Sequence, residues 1–395
     1  MINTPNEAIH AILKSLKPTK TVTLPIEQAH GHVLAKSVTA PVHSPAFDNS
    51  AMDGYAFRYS DWLSGKPLTV SGESAAGKPY SQRLKPKQAV RIYTGASIPL
   101  GADTVVMQER IHLHHNRIEI SDATLIKGAN IRKAGSEIRK GKVAIASGTL
   151  LNPSACAFLV SIGITTVRVY DKPSVAVIIS GNELVKGGVK LMPGQIHETN
   201  SIALRMALQR EGITKISTIH VRDNPSAMGR AFEKAITNHD AIIFTGGISV
   251  GDYDFTEEVF SKNKVKKCFH KLKQKPGKPI YYGTLKGKAV FGLPGNPASV
   301  MTCFYVYVTP ALRALQNHPD KELPRIRLPL SHDFSRKPGM TAFLKAQTDL
   351  KTNQILHGQE SYNMQSFANA NALVVLEPEV GEVKKGTMIE TILLP

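Results

Sequence analysis

Apolar and polar positions follow a strand-and-helix pattern in the middle of the chain, from about residue 171 onward. Short apolar runs of strand length are separated there by longer amphipathic segments. The pattern predicts strands at 175–179, 216–221, 241–244 and 289–291, and helices at 200–211, at 225–238 and from Val300 onward. Such alternation is typical of a mostly parallel sheet covered by helices, whose ligands bind at the carboxyl ends of the strands.

The parts of the chain before and after this α/β unit follow a different pattern. Residues 1–16 are predicted to form an amphipathic helix, with Thr4 as its N-cap and Glu7 completing a capping box. Elsewhere the apolar runs are short and bounded by Gly and Pro, which favours β-rich units. Strands are predicted at 89–93, 104–108, 325–330, 341–347, 372–376 and 388–393, and a helix at 153–162. We therefore expect a β-rich insert and a small C-terminal β-barrel or sandwich.

Length and cysteine usage restrict the class of protein. A chain of 395 residues is long enough for about two to four domains. Its three cysteines, Cys156, Cys268 and Cys303, are odd in number and widely spaced, which favours a reducing compartment and supports neither disulfides nor a cysteine-based zinc site. No apolar run approaches the roughly 18 residues that a membrane span needs. These features predict a cytoplasmic protein without a membrane partner.

The formal net charge of +18 makes a polyanionic partner worth considering. Ten lysines and no acidic residue lie between Lys262 and Lys288. Most of them are expected to form a solvated face, because the stretch lacks the aromatic platform and the helical motifs of nucleic-acid binders. Lys275 and Lys278 differ, since Pro276, Gly277 and Pro279 place them in a stiff turn. We predict no nucleic-acid partner and a basic site at this turn.

Two loops that follow apolar strands have the composition of phosphate-binding turns. One is the run 292–299, Gly-Leu-Pro-Gly-Asn-Pro-Ala-Ser, which leads into a helix and is expected to leave unpaired N–H groups at the helix start. The other is the loop 245–252, Thr-Gly-Gly-Ile-Ser-Val-Gly-Asp, whose glycines allow a phosphate to approach the backbone closely. Two such loops in one α/β unit indicate a nucleotide-like ligand.

Carboxylates in loops are the candidate chemical groups. Glu183 and Asp223 each follow a predicted strand, and Asp252 and Asp254 follow another, so that this edge of the sheet could hold Mg²⁺. The loop 48–55 is either a functional loop or an Asx turn capped by Asp48, with Asp53 and Gly54 closing a hairpin, and its composition favours neither reading. Likewise, Thr199 is either a simple helix N-cap or part of the site.

Other chemistries are disfavoured by the sequence. His112, His114 and His115 have no carboxylate or cysteine at ligand spacing, so a metal site there is not expected. The chain has no nucleophile elbow, no Walker A loop and no dinucleotide-binding Gly-x-Gly-x-x-Gly motif. Electrostatic chemistry on an anionic substrate is therefore favoured over covalent catalysis.

The assembled motifs resemble those of the molybdopterin molybdenumtransferases, the MoeA family, which is related to the E domain of gephyrin. The resemblance covers essentially the whole chain. It rests on Phe47–Ala56, on Thr94–Ala96 with Gly101–Glu109, on Thr245–Gly251, on Lys275–Pro279, and on Gly292–Pro297. Five motifs in the order of the family make this a specific match.

The resemblance implies a four-part homodimer. Residues 1–40 and 144–170 would form one discontinuous domain, 41–143 the β-rich insert, 171–319 the α/β domain that binds molybdopterin, and 320–395 the C-terminal β-barrel. The active cleft would lie between the insert of one subunit and the α/β and C-terminal domains of the other. A transient contact with the molybdopterin adenylyltransferase is also implied.

The reaction that the resemblance implies inserts molybdenum from molybdate into adenylylated molybdopterin and releases AMP, with Mg²⁺ as cofactor. The implied catalytic residues are Asp53, Thr94, Glu183, Asp223 and Asp254, and the implied metal ligands are Glu183, Asp252 and Asp254. The substrate-binding residues would be Ser50, Gly246, Gly247, Ser249, Gly251, Lys275, Lys278, Pro294, Gly295, Asn296, Pro297 and Ser299. Asp252 could take over the role given to Asp254, and tungstate could replace molybdate.

A second reading stays open at this point. A gephyrin-like scaffold would keep the dimeric fold and bind a protein segment while its catalysis was reduced or lost. Retention of the acidic residues and of both lysines favours the enzyme. A scaffold would tolerate loss of Asp53 or Glu183, whereas an enzyme would not.

Overall fold

The structure of the protein is a computed structural model that describes residues 2–248 and 255–395. Four of the predicted site residues, Ser249, Gly251, Asp252 and Asp254, lie outside the described residues. Three six-stranded sheets and several two-stranded ones form the framework. We call the large ones the insert sheet, the central sheet and the C-terminal sheet.

The central sheet is the predicted mostly parallel sheet. Its strands, in spatial order, are Ile216–Val221, Val175–Ser180, Ala241–Thr245, Lys288–Leu293, Tyr281–Leu285 and Lys266–His270. The first four are mutually parallel, and the last two add an antiparallel edge. Every residue of Val175–Ser180 and of Ala241–Thr245 is buried, because helices cover both faces of the sheet.

Helices of this unit begin largely where the sequence predicts. They span Asn200–Arg210, Pro225–Asn238, Thr256–Lys262 and Pro297–Leu315. Asn224 caps the second of them, since its side chain accepts from the N–H groups of Ser226 and Ala227. Thr199 is the N-cap residue of the first of them, as predicted, although its side chain makes no capping bond. The carboxylate of Glu198 instead accepts from the N–H of Ser201 at 2.8 Å.

The helix Pro297–Leu315, which we call the core helix, corrects one expectation from the sequence. It runs through a π-helical segment at Phe304–Val308 and reaches 19 residues with a mean hydropathy of 1.2. By length and composition it would qualify as a membrane span, although no such run was expected. In the fold, 89% of it is buried inside the protein. Its apolar character therefore matches packing in a protein core.

The first helix, Pro5–Ser15, has the predicted capping box, in which Thr4 and Glu7 bond each other's backbone. Its buried side chains join the hydrophobic cluster of the central sheet. A separate cluster unites residues 26–40 with residues 151–169 around Leu34 and Leu159. The elements of that region are Thr21–Pro25, Ile26–Gln28, Val38–Thr39, Val143–Ile145, Pro153–Ser161 and Thr166–Tyr170. The domain boundaries given above stay a prediction.

The insert sheet carries the β-rich segment. In spatial order its strands are Thr104–Met107, Gly54–Phe57, Gln88–Ile92, Leu68–Ser74, Arg117–Ile120 and Ile111–His114. Shorter elements around it are Asn49–Ser50, Tyr59–Trp62, Gln108–Arg110 and Ile131–Arg132. Gly54 has to be glycine, since a Cβ there would lie 1.8 Å from the carbonyl oxygen of Val106.

The C-terminal sheet is ordered Gln274–Lys275, Thr341–Thr348, Ala372–Leu376, Met388–Leu393 and Arg325–Pro329, with Asn353–Ile355 on Thr341–Thr348. A bridge between Leu330 and Asn353 joins its two sides, as a small barrel requires. Shorter elements are Leu184–Val185, Ile196–His197, Phe334–Ser335, Met364–Ala368 and Glu382–Val383. The strand Gln274–Lys275 brings the turn Lys275–Pro279, which we call the basic turn, into this sheet. The sequence pattern did not predict this pairing.

Candidate active site

A cavity of about 1190 Å³ lies at the carboxyl ends of the central strands. It is larger than the ~300–1,000 Å³ of ordinary small-molecule pockets, which suits a large ligand. Eleven of the predicted site residues line it: Glu183, Asp223, Gly246, Gly247, Lys275, Lys278, Pro294, Gly295, Asn296, Pro297 and Ser299. The position follows from the parallel topology, as expected for an open α/β sheet.

Glu183 and Asp223 reach the cavity from neighbouring strand ends. The N–H of Asn182 donates to Asp223 Oδ2 at 3.1 Å, and the N–H of Asp223 donates to Asn182 Oδ1 at 3.3 Å. This reciprocal pair locks the two loops together. Glu183 is exposed and Asp223 half-buried. Glu183, next to Asn182 in the chain, and Asp223 thus both line the cavity from the two joined loops.

The glycine loop after Ala241–Thr245 packs tightly against its neighbours. Gly246 has φ +92°, and a Cβ there would lie 2.4 Å from the carbonyl oxygen of Ser180. A Cβ on Gly295 would lie 3.9 Å from Gly246 Cα, so the two glycine loops are in contact. Only glycine permits this backbone at Gly246, as the loop composition predicted.

Asn200 connects three elements around the cavity. Its Nδ2 donates to Thr245 Oγ1 at 3.0 Å and to the Gly295 carbonyl at 2.8 Å. Thr245 Oγ1 in turn donates to the Pro294 carbonyl at 3.2 Å. The sequence marked Asn200 only as part of a helix start. A polar residue in a first helical turn beside the predicted ligand edge was the available signal.

The start of the core helix is partly closed by the C-terminal part of the chain. The N–H of Ala298 donates to the Ser361 carbonyl at 3.1 Å, and Asn296 Nδ2 donates to Ser361 Oγ at 2.8 Å. The expectation of free N–H groups at this helix start is therefore wrong for Ala298. Ser361 lines the cavity and was missed, because nothing in its local sequence shows a contact across 65 residues.

Lys345 holds the segment that carries Ser361. The residue is only 3% exposed, and its Nζ donates to the carbonyls of Gly358, Glu360 and Asn363 at 2.6, 3.1 and 3.1 Å. Burial lowers the pKa of this amine from its ordinary value. A buried cation is costly unless its donors are used, and here all three are. The burial of Lys345 could not be predicted from the sequence, because a single lysine in a strand is normally expected on the surface.

Lys275 and Lys278 form the basic side of the cavity. Both side chains are exposed, and neither makes an ion pair or a side-chain hydrogen bond within residues 2–248 and 255–395. Two unpaired ammonium groups opposite a carboxylate wall suit a ligand that carries phosphate at one end. This is the arrangement that the stiff turn predicted.

Asp53 and Thr94 lie elsewhere, on the insert sheet, and do not line the cavity. Asp53 Oδ1 accepts from the Thr94 N–H at 2.7 Å and from Thr94 Oγ1 at 2.9 Å. These bonds, that to the backbone first, lower the pKa of Asp53. The Asx-turn reading concerned Asp48, whose carboxylate instead accepts from Lys133 Nζ and from the N–H of Ala134.

Ser50 belongs to the turn beneath Asp53. It is 0% exposed, and its hydroxyl donates to the Met52 carbonyl at 2.5 Å. The N–H of Met52 also donates to Ser50 Oγ at 3.3 Å. In the structure, the buried Ser50 hydroxyl thus bonds the backbone of its own loop, and substrate binding by Ser50 stays a prediction.

The described residues do not by themselves form a metal site. No group of three or more His, Cys, Asp or Glu side chains among residues 2–248 and 255–395 could hold an ion. Glu183 and Asp223 supply two carboxylates, while Asp252 and Asp254 lie outside the described part. The residues described here thus fall short of a complete Mg²⁺ site.

Comparison with known proteins identifies the family. Three family models match in succession: the MoeA N-terminal region (domains I and II) at residues 3–163, a probable molybdopterin-binding domain at 176–314, and the MoeA C-terminal region (domain IV) at 327–394. A molybdopterin molybdenumtransferase of Haemophilus influenzae is 35% identical over 94% of this chain and 93% of that protein. The chain belongs to the MoeA family.

Other MoeA relatives agree along the full length. Molybdopterin molybdenumtransferase 2 of Mycobacterium tuberculosis is 30% identical over 96% of both chains. A crystal structure of a MoeA protein from Pyrococcus horikoshii superimposes with a TM-score of 0.86 at 27% identity, covering 100% of each chain. The MoeA fold therefore extends over the whole chain, as the sequence motifs predicted.

Proposed function

We propose that this protein is a molybdopterin molybdenumtransferase, which inserts molybdenum from molybdate into adenylylated molybdopterin and releases AMP. The observation that carries the proposal is the cavity itself. Two glycine loops, a pair of unpaired lysines and two adjacent carboxylates converge on it. Its volume of about 1190 Å³ accommodates a pterin joined to a nucleotide.

The basic and the acidic residues of the cavity would have different roles in the reaction. Lys275, Lys278 and the N–H groups of the glycine loops would offset the negative charge of the phosphoric anhydride and of molybdate. Their position would keep the anhydride in place while its bond to AMP breaks. Glu183 and Asp223 would orient the polar groups of the substrate on the opposite wall. Pro294 and Pro297 would keep the helix start rigid.

We further propose that the working form is a homodimer in which Asp53 and Thr94 of one subunit complete the cavity of the other. Asp53 is exposed and lies outside the cavity. Ile202 and Met206 are 53% and 61% exposed and lie four residues apart on the helix Asn200–Arg210, so that they share one face. An apolar face of this kind supports a protein interface.

The remaining parts of the proposal concern Mg²⁺ binding, the choice between molybdate and tungstate, and the cellular location with the partner enzyme. Mg²⁺ would need Glu183 together with phosphate oxygens and with Asp252 or Asp254, and no step above depends on it. Tungstate has the same charge and shape as molybdate, so the site would not reject it strongly. We propose a cytoplasmic location and a transient contact with the adenylyltransferase that supplies the substrate.

The test is AMP release from adenylylated molybdopterin by the purified protein with Mg²⁺, with molybdate, with tungstate and with neither. We expect oxyanion-dependent release, lost in Asp53→Ala and in Glu183→Ala. Glu382→Ala, an exposed acid of the C-terminal region, is the matched control and should release AMP normally. Tight substrate binding without release under any condition would contradict the enzyme and favour the scaffold reading.

A further inference from the structure

The basic turn has a polar support inside the protein core. Gln274 precedes Lys275 and is 0% exposed. Its Nε2 donates to the Pro276 carbonyl at 3.0 Å, while its Oε1 accepts from the hydroxyl of Tyr307 on the core helix. Tyr307 is also 0% exposed. A buried chain of two hydrogen bonds thus runs from the core helix to the middle of the turn.

The direction of this chain is fixed by its ends. The Pro276 carbonyl can only accept, so that the amide of Gln274 must turn its NH₂ toward it and its oxygen toward Tyr307. Burial raises the pKa of Tyr307 well above its ordinary value. The hydroxyl therefore stays protonated and keeps donating at any working pH.

Packing leaves the turn no room to shift toward the core. A Cβ on Gly277 would lie 2.4 Å from Cys303 Sγ and 3.0 Å from Gln274 Nε2, and Gly277 has φ +85°. On the other side, Gln274 and Lys275 pair with Thr341 and Ala342 of the C-terminal sheet. The backbone of the turn is thus held from two sides.

We propose that Gln274 and Tyr307 are positioning residues that fix the Pro276 carbonyl and thereby the points from which Lys275 and Lys278 reach the phosphate groups of the substrate. This inference rests on the proposed function. Neither lysine side chain has a partner among the described residues, so the backbone of the turn sets the points from which the two side chains extend toward the cavity. A hydrogen bond in the core thereby determines the region that the two ammonium groups can reach.

A purely structural role for the same bond would look different in experiment. Tyr282 offers the matched control, since it is 0% exposed and its hydroxyl bonds Ser15 at 2.6 Å, away from the turn. Tyr282→Phe and Tyr307→Phe each remove one buried hydroxyl. Tyr307→Phe leaves Gln274 Oε1 without that donor, whereas in Tyr282→Phe the Ser15 hydroxyl keeps its bond to the Ile12 carbonyl at 2.8 Å. Both should lower the melting temperature, Tyr307→Phe by more. Only Tyr307→Phe should alter substrate binding.

The decisive variant removes both polar groups of the chain. Tyr307→Phe with Gln274→Met replaces them by apolar groups of similar shape, so that the melting temperature should recover toward wild type. Gln274→Met also removes the donor to the Pro276 carbonyl. We expect KM for adenylylated molybdopterin to stay raised about tenfold, the loss of one charge-assisted contact, with kcat within about twofold. Recovery of KM together with the melting temperature would overturn the proposal.

A second measurement does not depend on turnover. Lysines of the full-length protein are methylated with ¹³C, and the resonances of Lys275 and Lys278 are assigned from Lys275→Arg and Lys278→Arg. In the double variant both resonances should shift, and in Tyr282→Phe neither should. Unshifted resonances in the double variant would overturn the proposal. A wild type that releases no AMP would refute the proposed function alone, because this readout would still decide the positioning role.

Discussion

The cavity and the Asp53–Thr94 pair organise their carboxylates in opposite ways. Glu183 and Asp223 line a cavity that loops of the central sheet and the C-terminal segment around Ser361 build together. Asp53 is exposed, lies outside that cavity and accepts two hydrogen bonds from Thr94. The cavity has its shape within one chain. The Asp53–Thr94 pair has a fixed geometry outside the cavity, as a half-site for a second subunit would.

The two regions differ in the contacts that hold their side chains in place. The cavity depends on contacts between residues far apart in sequence, such as Asn200 with Gly295 and Asn296 with Ser361. Asp53 and Thr94, which are 41 residues apart, lie in two exposed loops next to strands of the insert sheet and are joined by two hydrogen bonds. Changes in the cavity should therefore couple stability to binding, whereas changes at Asp53 should affect catalysis with little effect on the fold.

The largest effect is expected from mixing two inactive variants. Asp53→Ala and Glu183→Ala homodimers should each lose about 10²-fold or more in kcat. In a heterodimer with one variant subunit of each kind, one of the two shared sites keeps both carboxylates. Such a heterodimer, purified with two different tags, should recover about half of the wild-type activity. AMP release measures it.

A doubly tagged wild-type dimer is the reference for this experiment. A stable heterodimer that stays inactive would show that Asp53 and Glu183 act within one chain. The contrast between a cavity built within one chain and a half-site completed by a second subunit would then no longer hold.

The next effect concerns the segment that closes the cavity. Lys345→Met removes the only donor that three carbonyls share and should lower the free energy of unfolding by about 3 kcal/mol. Because the segment with Ser361 loosens, KM should rise as well. Denaturant unfolding and steady-state kinetics measure the two effects.

Lys384→Met is its matched control, since Lys384 is a 74% exposed lysine paired with Asp333 and should change stability by less than about 1 kcal/mol. If Lys345→Met folds and binds substrate as the wild type does, the segment is held by other contacts. The Asp53 region should be unaffected in both variants.

We expect the free energy of unfolding to depend on pH through Lys172, which lies between Thr94 and Glu183 in the sequence. Its Nζ donates to the Gly31 carbonyl, and burial lowers its pKa to about 8. Between about pH 8 and 10.5 the unfolded chain binds more protons at this lysine than the folded one, so that its contribution to stability rises with pH by about 2 kcal/mol. Below pH 8 this gain is absent.

Lys172→Met isolates the contribution, because buried tyrosines and cysteines with raised pKa values act in the opposite sense at high pH. The wild type should gain stability relative to Lys172→Met as pH rises from 8 to 10. A constant difference between the two unfolding curves would contradict the prediction.

The smallest effect is expected at Thr94. Thr94→Ala removes one of the two bonds to Asp53 but leaves the backbone N–H, which contributes most to the lowered pKa. The pKa of Asp53 should rise only part of the way to its ordinary value. Titration of the carboxylate by NMR measures it, and ionised Asp53 should persist at neutral pH.

Asp122 with Thr124 is a matched pair that makes the same two bonds on the same sheet region. There the side-chain bond contributes most, so Thr124→Ala should raise the pKa of Asp122 further than Thr94→Ala raises that of Asp53. Equal shifts would contradict this ranking. Thr124→Ala should leave AMP release unchanged.

The sequence predicted most of the local structure because local structure follows from periodicity and from turn residues. The strands at 216–221 and 372–376 and the helix at 225–238 have the predicted bounds. The strand ends also placed Glu183 and Asp223 at one edge, since parallel strands end together. Lys275 and Lys278 were found through the prolines and glycine around them.

Periodicity and turn residues could not predict contacts between distant parts of the chain. Ser361 and Lys345 carry no local signature, and the free N–H expected at Ala298 is taken by Ser361 from a distant part of the chain. The Asn182–Asp223 pair likewise depends on two loops meeting. Each of these contacts joins residues whose distance is set by packing and not by spacing along the chain.

The sequence by itself determined the family, the order of strands and helices, and the residue types at the site, because these depend on periodicity, turn chemistry and motifs that are local in the chain. Tertiary structure alone decided which of those residues share the cavity and which, like Asp53, lie outside it. It also decided how the basic turn is supported by Tyr307. The physical reason is that burial and hydrogen-bond partners arise only when distant segments pack together.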